Sequence, residues 1–339
     1  MNNSIPPVLF LIFNRPQPTR QVFEEIRKAA PRRLYVAADG PRVSVRSEKD
    51  QCDAARAIVD KVDWDCEVRT LFRTENLGCK RAVAGAIDWF FDNEEEGIVL
   101  EDDCLPDPCF FRYCGELLQR YRDDHRVATI SGDNYQRGKW RGEGSYYFSI
   151  FPHCWGWATW KRAWRLNDVT MSEWPDAKRT GWLRQIWDSP LDRRYWTTNF
   201  NDTYAGRIDT WDFGWTFSIW RSGGLNALPN VNLVENIGFG PDATHTTGRQ
   251  LNAVRSQMPD PIVHPAAVVR DMAADDFTMR RHFWVTPLTT VLRAVKREIE
   301  HRYGLDFMRL VRSLQKPRRW KMRFRKKRPE RKRNAKTTK

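Results

Sequence analysis

The chain has 339 residues, 41% apolar and 13% aromatic, enough to bury the core of one large domain with an appended part, which excludes a wholly disordered chain. The net charge of +14 looks like a nucleic-acid signal until it is located: Lys316 to Lys339 holds fourteen Lys or Arg against one acid, Glu330. The rest of the chain is nearly neutral, which excludes a broadly basic surface on the globular part.

In chain order, Pro7 to Phe13 is a continuous apolar run of strand length, too short to cross a bilayer. Asn14-Arg15-Pro16 and a helical pattern through Val22, Ile26 and Ala30 follow it. Leu34 to Ala38 reads as a second strand ending at Asp39-Gly40, and Ser47 is placed to cap a helix carrying Ala54, Ala55, Ile58, Val59 and Val62. A third strand, Glu67 to Phe72, leads through Asn76-Leu77-Gly78 to a helix from about Lys80 to Phe91. Ile98-Val99-Leu100 is a fourth strand, ended by three acids. Apolar strands alternating with amphipathic helices imply an α/β fold, a mostly parallel, Rossmann-like sheet flanked by helices. Ligands on such sheets bind beyond the carboxyl ends of the strands, where four polar clusters would meet.

Seven cysteines, with no compact framework and no signal-like run ahead of the first strand, fit a reducing cytoplasm. Cys104, Cys109 and Cys114 have poor zinc spacing and read as buried or half-buried free thiols. Twelve of the sixteen tryptophans fall between Trp140 and Trp220, marking an aromatic-rich half with helical stretches around Lys161 to Arg165, Trp182 to Trp187 and Asp212 to Trp220. Asn226 to Gly248 reads as loops and short strands. A helix restarts at Thr286 with Leu288, Val291, Leu292, Val295 and Ile299 on one side. The expected organisation is residues 1–248 as one domain, with 1–135 a nucleotide-binding half and 136–248 an acceptor half, then a helical extension 249–315 and a disordered tail 316–339.

Glu101-Asp102-Asp103 carries the strongest chemical signal. Three adjacent carboxylates repel one another unless a cation or water relieves them, and Mg²⁺ or Mn²⁺ held by one or two carboxylates and two phosphate oxygens does so. Strand alternation turns Glu101 and Asp103 to one side and Asp102 to the other. An isolated acidic triplet is more often a solvated turn, but this one ends a buried strand at the ligand-binding edge. Arg15 at a strand-to-helix turn suits a phosphate, as does Lys80 or Arg81 in the first turn after Gly78; each taken singly is as readily a surface charge.

Val8 to Arg15, Asp39-Gly40, Glu101-Asp102-Asp103 with Pro106-Asp107 and Phe110-Phe111, and Trp211-Asp212 together resemble the GT-A glycosyltransferases. Within them the chain is similar to the protein N-acetylglucosaminyltransferase I family and its bacterial relatives over about residues 5 to 248. The resemblance implies that Asp103 ligates the metal, that Glu101 and Asp102 contact donor sugar and ribose, that Asp39 binds the nucleobase, and that Arg15 faces the diphosphate. It implies Asp212 as the base of an inverting displacement. Asp209 is a rival, and a helix N-cap is the plainer role for either acid. Trp155 and Trp157 match a stretch lining the donor sugar, Trp211 and Trp215 would stack on the acceptor, and His245 would contact phosphate or metal; core packing and a structural histidine are the plainer readings. The segment after Gly248 has no family motif.

The expected activity is therefore metal-dependent transfer, with Mn²⁺ or Mg²⁺, from a nucleotide-sugar donor, fitting uridine best, to a glycan, lipid-linked or polysaccharide acceptor. A sugar nucleotidyltransferase is the first alternative, although Asn14-Arg15-Pro16 is not its glycine-rich loop; a non-catalytic protein acting through the tail is the second. The basic tail with Trp320, Met322 and Phe324, behind an amphipathic helix, suits peripheral attachment to an anionic membrane, at about 1 kcal/mol per cation. Nucleic acid is the less favoured partner, and a solvated extension is the plain alternative.

Overall fold

The computed structural model describes residues 5–238 and 254–303. The chain divides into two compact units, Met1–Thr286 and Pro287–Lys339. In the first, strands β1 (Val8–Ile12), β2 (Arg33–Ala38), β3 (Glu67–Phe72) and β4 (Glu96–Glu101) alternate with helices α1 (Pro16–Ala29), α2 (Glu48–Arg56) and α3 (Cys79–Asn93). Strand β5 (Cys104–Pro106), helix α4 (Pro108–Arg120), strands β6 (Val127–Ser131), β7 (Tyr146–Ser149) and β8 (Trp157–Trp160), and helices α5 (Lys161–Trp164), α6 (Trp174–Thr180), α7 (Pro190–Tyr204) and α8 (Asp212–Arg221) follow. Strands β9 (Leu225–Pro229) and β10 (Val234–Asn236) and helix α9 (Met272–Arg281) complete this unit. The second unit contributes helix α10 (Pro287–Tyr303).

The main sheet has eight strands in the order β3-β2-β1-β4-β8-β6-β9-β7; β5 and β10 form a separate antiparallel pair. Strands β3, β2, β1 and β4 are mutually parallel, as the alternation of strands and helices predicts, with β3 the more exposed edge strand. Strand β8 is antiparallel to both β4 and β6, so the halves expected to divide at residue 135 share one sheet. Side-chain alternation sends Val8, Phe10 and Ile12 to a core with α1 and α4, and Leu9 and Leu11 to a second core with α3 and the tryptophan-rich helices. Each such buried side chain contributes roughly 1.5–3 kcal/mol.

Three local expectations change. Ser47 does not cap α2: it sits at φ 64° with no side-chain bond to the helix, and its hydroxyl donates to the Arg46 carbonyl. Ala54 is exposed and the α-helix gives way to a 3₁₀ turn, Ala57–Lys61. The Trp182 region is likewise only a 3₁₀ turn, Trp182–Gln185, while α6, α7 and α9 carry the packing that sequence periodicity did not reveal. Residues 254–286, placed by sequence in an extension, belong to the first unit: Ser145 N–H donates to the Val263 carbonyl at 2.7 Å, and Phe148 bridges to Arg270. The seven cysteines are free thiols, each buried or half-buried.

Candidate functional site

Because β1, β2 and β4 are parallel and in register, Ile12, Ala38 and Glu101 end at one edge of the sheet. A cavity of about 280 Å³ opens there, floored by Leu11, Ala37, Ala82 and Val83 and rimmed by Arg15, Asp39, Asn76, Glu101, Asp102 and Asp209. The four strand-end clusters therefore meet as the strand pattern implied. A larger open trough of about 1260 Å³ lies near Pro7, Glu96 and Arg33, at the opposite ends of these strands, away from the acidic cluster.

Arg15 organises the acids. Its Nη1 donates to Asp103 Oδ2 at 2.9 Å and its Nη2 to Asp102 Oδ1, so one planar guanidinium spans both carboxylates. The expected separation of Asp102 from Asp103 by strand alternation does not hold, because β4 stops at Glu101 and the two aspartates occupy a turn. Phe13 N–H adds a bond to Asp102 Oδ2 at 3.3 Å. Burial works against the Arg15 charge, but Asp102 and Asp103 outweigh it and hold its pKa above the ordinary value. Burial pushes Asp102 up to about 6 against the pull of Arg15. Burial, then Asp103 and Asp102, push Glu101 up to about 8. Arg15 bonds Asp102 and Asp103 and reaches Glu101 only through its field, so burial and the two neighbouring carboxylates prevail at Glu101.

Asp103 also meets the residues that follow β10. Ile237 N–H donates to the Asp103 carbonyl at 2.8 Å, and Gly238 lies so close that an added Cβ would sit 2.1 Å from Asp103 Oδ2. His245 lies outside the described residues. The other oxygen, Asp103 Oδ1, faces only a long contact from the Cys104 thiol at 3.6 Å among its described hydrogen bonds. No group of three or more His, Cys, Asp or Glu among the described residues is arranged to hold an ion alone. A divalent ion at this edge would therefore need ligands beyond these side chains, with Asp103 offering the oxygen that Arg15 does not hold.

Asp39 lines the cavity, but its carboxylate accepts the N–H groups of Leu77 and Gly78 at 3.0 and 3.1 Å and Asn76 Nδ2 at 3.0 Å. Asp209 accepts the next two amides, Cys79 at 3.1 Å and Lys80 at 3.3 Å, and so caps α3 from a distant part of the chain. Gly78 is required between them: at φ 79° it turns the chain where a Cβ would meet Asp209 Oδ2 at 2.8 Å. Lys80 and Arg81 do not reach the cavity wall; Arg42 and Arg73 do. Arg42 is held by the buried carboxylate of Glu48, which also accepts Asn14 Nδ2 at 2.8 Å, joining the loops after β1 and β2.

Asp212 begins α8, half-buried, and its Oδ1 accepts the Thr210 hydroxyl and the Phe213 N–H at 2.9 Å. Its charge contributes to the raised pKa of Glu101, Cys79 and Cys154, so it lies within electrostatic range of the acidic cluster, although it does not line the cavity itself. Trp157, Trp211 and Trp215 do not line a sugar subsite: all three are buried, with Trp157 stacked on Trp211 at 5.6 Å and Trp164 packed on Trp215 at 5.0 Å. They fix the platform from which Asp212 projects. Trp155 is half-buried, edge-on to Tyr135.

Asp133 was not singled out by sequence, although it repeats the pattern of an acid just after an apolar strand, Val127–Ser131. It is buried, accepts the Trp155 N–H at 3.0 Å on Oδ2, and leaves Oδ1 without a hydrogen bond. Burial raises its pKa well above the carboxylate range, and it contributes to the raised pKa of both Cys104 and Cys154. Beside it, His282 stacks on Tyr135 at 3.8 Å and His153 meets the same ring edge-on at 4.5 Å.

The fold and site together define an α/β protein with an acid-and-arginine cavity at the carboxyl edge of its sheet. No protein-family model and no curated protein matches the sequence. Among solved structures, HddC from Yersinia pseudotuberculosis is 14% identical with a TM-score of 0.29, covering 46% of this chain and 77% of its own. Mouse xyloside xylosyltransferase 1 is 11% identical at a TM-score of 0.31, covering 63% and 81%, and an apo UDP-glucose pyrophosphorylase is 12% identical at 0.29, covering 47% and 79%. At that level of likeness the functional reading rests on the site itself.

Proposed function

We propose that this chain is a nucleotide-sugar-dependent glycosyltransferase of GT-A type, transferring a sugar with inversion to a glycan, lipid-linked or polysaccharide acceptor. The observation that carries the proposal is the convergence of Arg15, Arg42 and Arg73 with Glu101 and Asp102 around one cavity, with Asp103 bonded to Arg15 beside them and Asp212 within electrostatic range of Glu101. Arginines on the rim recognise the donor diphosphate, and the small apolar floor accepts a planar base. Since Asp39 is engaged by the loop at 76–78, base selection falls to other groups of the wall, Arg73 among them.

A divalent ion, Mn²⁺ or Mg²⁺, bound at Asp103 would neutralise charge on the leaving diphosphate. Arg15 orients Asp103 for that role and adds its own positive charge beside the phosphates. Asp212 takes the proton of the acceptor hydroxyl; the hydroxyl oxygen bonds to the anomeric carbon from the face opposite the diphosphate, and the carbon–oxygen bond to the diphosphate breaks, its electron pair leaving with the nucleotide. Thr210 and the α8 N-terminus hold Asp212 in place for this transfer.

The test is donor turnover over UDP-, GDP-, CMP- and dTDP-linked sugars with Mn²⁺. Release of nucleotide from at least one donor supports transfer. Pyrophosphate release from a nucleoside triphosphate and a sugar phosphate would identify a nucleotidyltransferase instead, and neither turnover nor binding with any donor would remove the enzymatic reading.

A further inference from the structure

Helix α10 leaves a row of apolar side chains in water. Leu288 is 69% exposed, Val291 60%, Leu292 56% and Val295 47%. Their spacing of three and four residues places them on one stripe of the helix. Water-facing proteins rarely keep such a row without a partner. Arg293 lies off that stripe, the sequence of the helix also includes Lys296 and Arg297, and the chain beyond it holds fourteen Lys or Arg against one acid from Lys316 to Lys339.

An apolar stripe calls for a hydrocarbon or protein face, and the adjacent cations call for dense negative charge. A bilayer rich in anionic lipid offers both in one layer, with headgroup phosphates a few ångströms above acyl chains. The helix is not built to span: no helix among the described residues is long and apolar enough to cross a membrane. At 17 residues it measures about 25 Å and lies naturally in the interface plane.

We propose that α10 binds flat on an anionic membrane surface, with Leu288, Val291, Leu292 and Val295 inserted below the headgroups and the basic residues paired with lipid phosphates. The proposal uses residues outside the candidate active site, so it stands apart from the catalytic reading.

The experiment is sedimentation of the full chain with vesicles of phosphatidylcholine alone or of phosphatidylcholine with phosphatidylglycerol, at physiological salt. The wild type is expected to pellet with the anionic vesicles and stay in solution with the neutral ones. Val291→Asp combined with Leu292→Asp is expected to lower that partitioning more than about tenfold although every basic residue remains. Val291→Ser with Leu292→Ser, a milder change to the helix, is expected to lower it in the same direction. Unchanged binding of both double variants would overturn the proposal, because the tail charge alone would then suffice. Equal binding to neutral vesicles would overturn it too, as would a wild type that ignores vesicles and either shifts only nucleic acid or forms a dimer that the Asp pair dissociates.

Discussion

The carboxylate of Asp209 accepts the backbone N–H of Cys79 at 3.1 Å, 130 positions away in the chain. With Lys80 bound by the same carboxylate and Leu77 and Gly78 bound by Asp39, four consecutive amides of a cavity wall are held from two sides. Asp209→Ala is expected to cost about 0.5–2 kcal/mol, the range for a lost helix cap, and to weaken nucleotide binding by loosening that wall. Asp209→Asn keeps an acceptor oxygen and should recover most of the loss. Urea unfolding and UDP titration check both; two variants indistinguishable from wild type would show that the contact is incidental.

Arg15 bridges two acids, one of them only 3% exposed. Arg15→Met strips the compensation from that buried charge and should destabilise by about 3–5 kcal/mol, less where Asp102 takes up a proton. Arg15→Lys retains charge but cannot reach both carboxylates as a planar fork, so nucleoside diphosphate affinity should still fall by about tenfold to a hundredfold. Calorimetric titration of the Lys variant, which is expected to fold, decides this; full affinity would contradict the assigned role.

Asp212→Asn preserves the shape of the α8 N-terminus while removing the base. Donor affinity should stay within a factor of about two, and turnover should drop about 10²- to 10⁴-fold. A full rate would place proton removal elsewhere.

His282 sits against Tyr135, near His153 and Arg137, and burial followed by the Arg137 charge lowers its pKa to about 4 from 6.5. Between those values the unfolded chain binds a proton that the folded chain refuses, so stability is lost as pH falls from about 6.5 toward 4. The loss from this group is at most on the order of 3 kcal/mol. His282→Phe keeps a stacked ring without the titration and should flatten that part of the profile, read from urea midpoints at several pH values. An unchanged slope would assign the acid sensitivity to other groups, His153 first among them.

The first two strands were legible because Val8–Ile12 and Leu34–Ala38 are buried on both faces and so read as unbroken apolar runs. The convergence of Arg15, Asp39 and Glu101 followed from parallel topology alone. What the sequence hid was long-range pairing: no local pattern tells that Asp39 is consumed by the 76–78 loop or that Asp209 caps α3. The tryptophans misled for a related reason, since Trp211 and Trp215 flank an acid in sequence but turn into the core in space. Helix α7 escaped notice because its buried face mixes Asp192, Trp196, Phe200 and Thr203 rather than forming an aliphatic stripe, although Ser189-Pro190 marked its start.

The central claim is that the edge of the sheet holding Arg15 and Asp103 binds a nucleoside diphosphate through a shared divalent ion. Calorimetric titration of UDP, GDP, CDP and dTDP into the wild type and Asp103→Ala, each with Mn²⁺ and with chelator, measures it directly. The account predicts that at least one diphosphate binds the wild type, that chelator weakens the binding, and that Asp103→Ala binds weakly with no response to Mn²⁺. Binding that is equally tight in Asp103→Ala, or no binding to the wild type by any of the four, would contradict it.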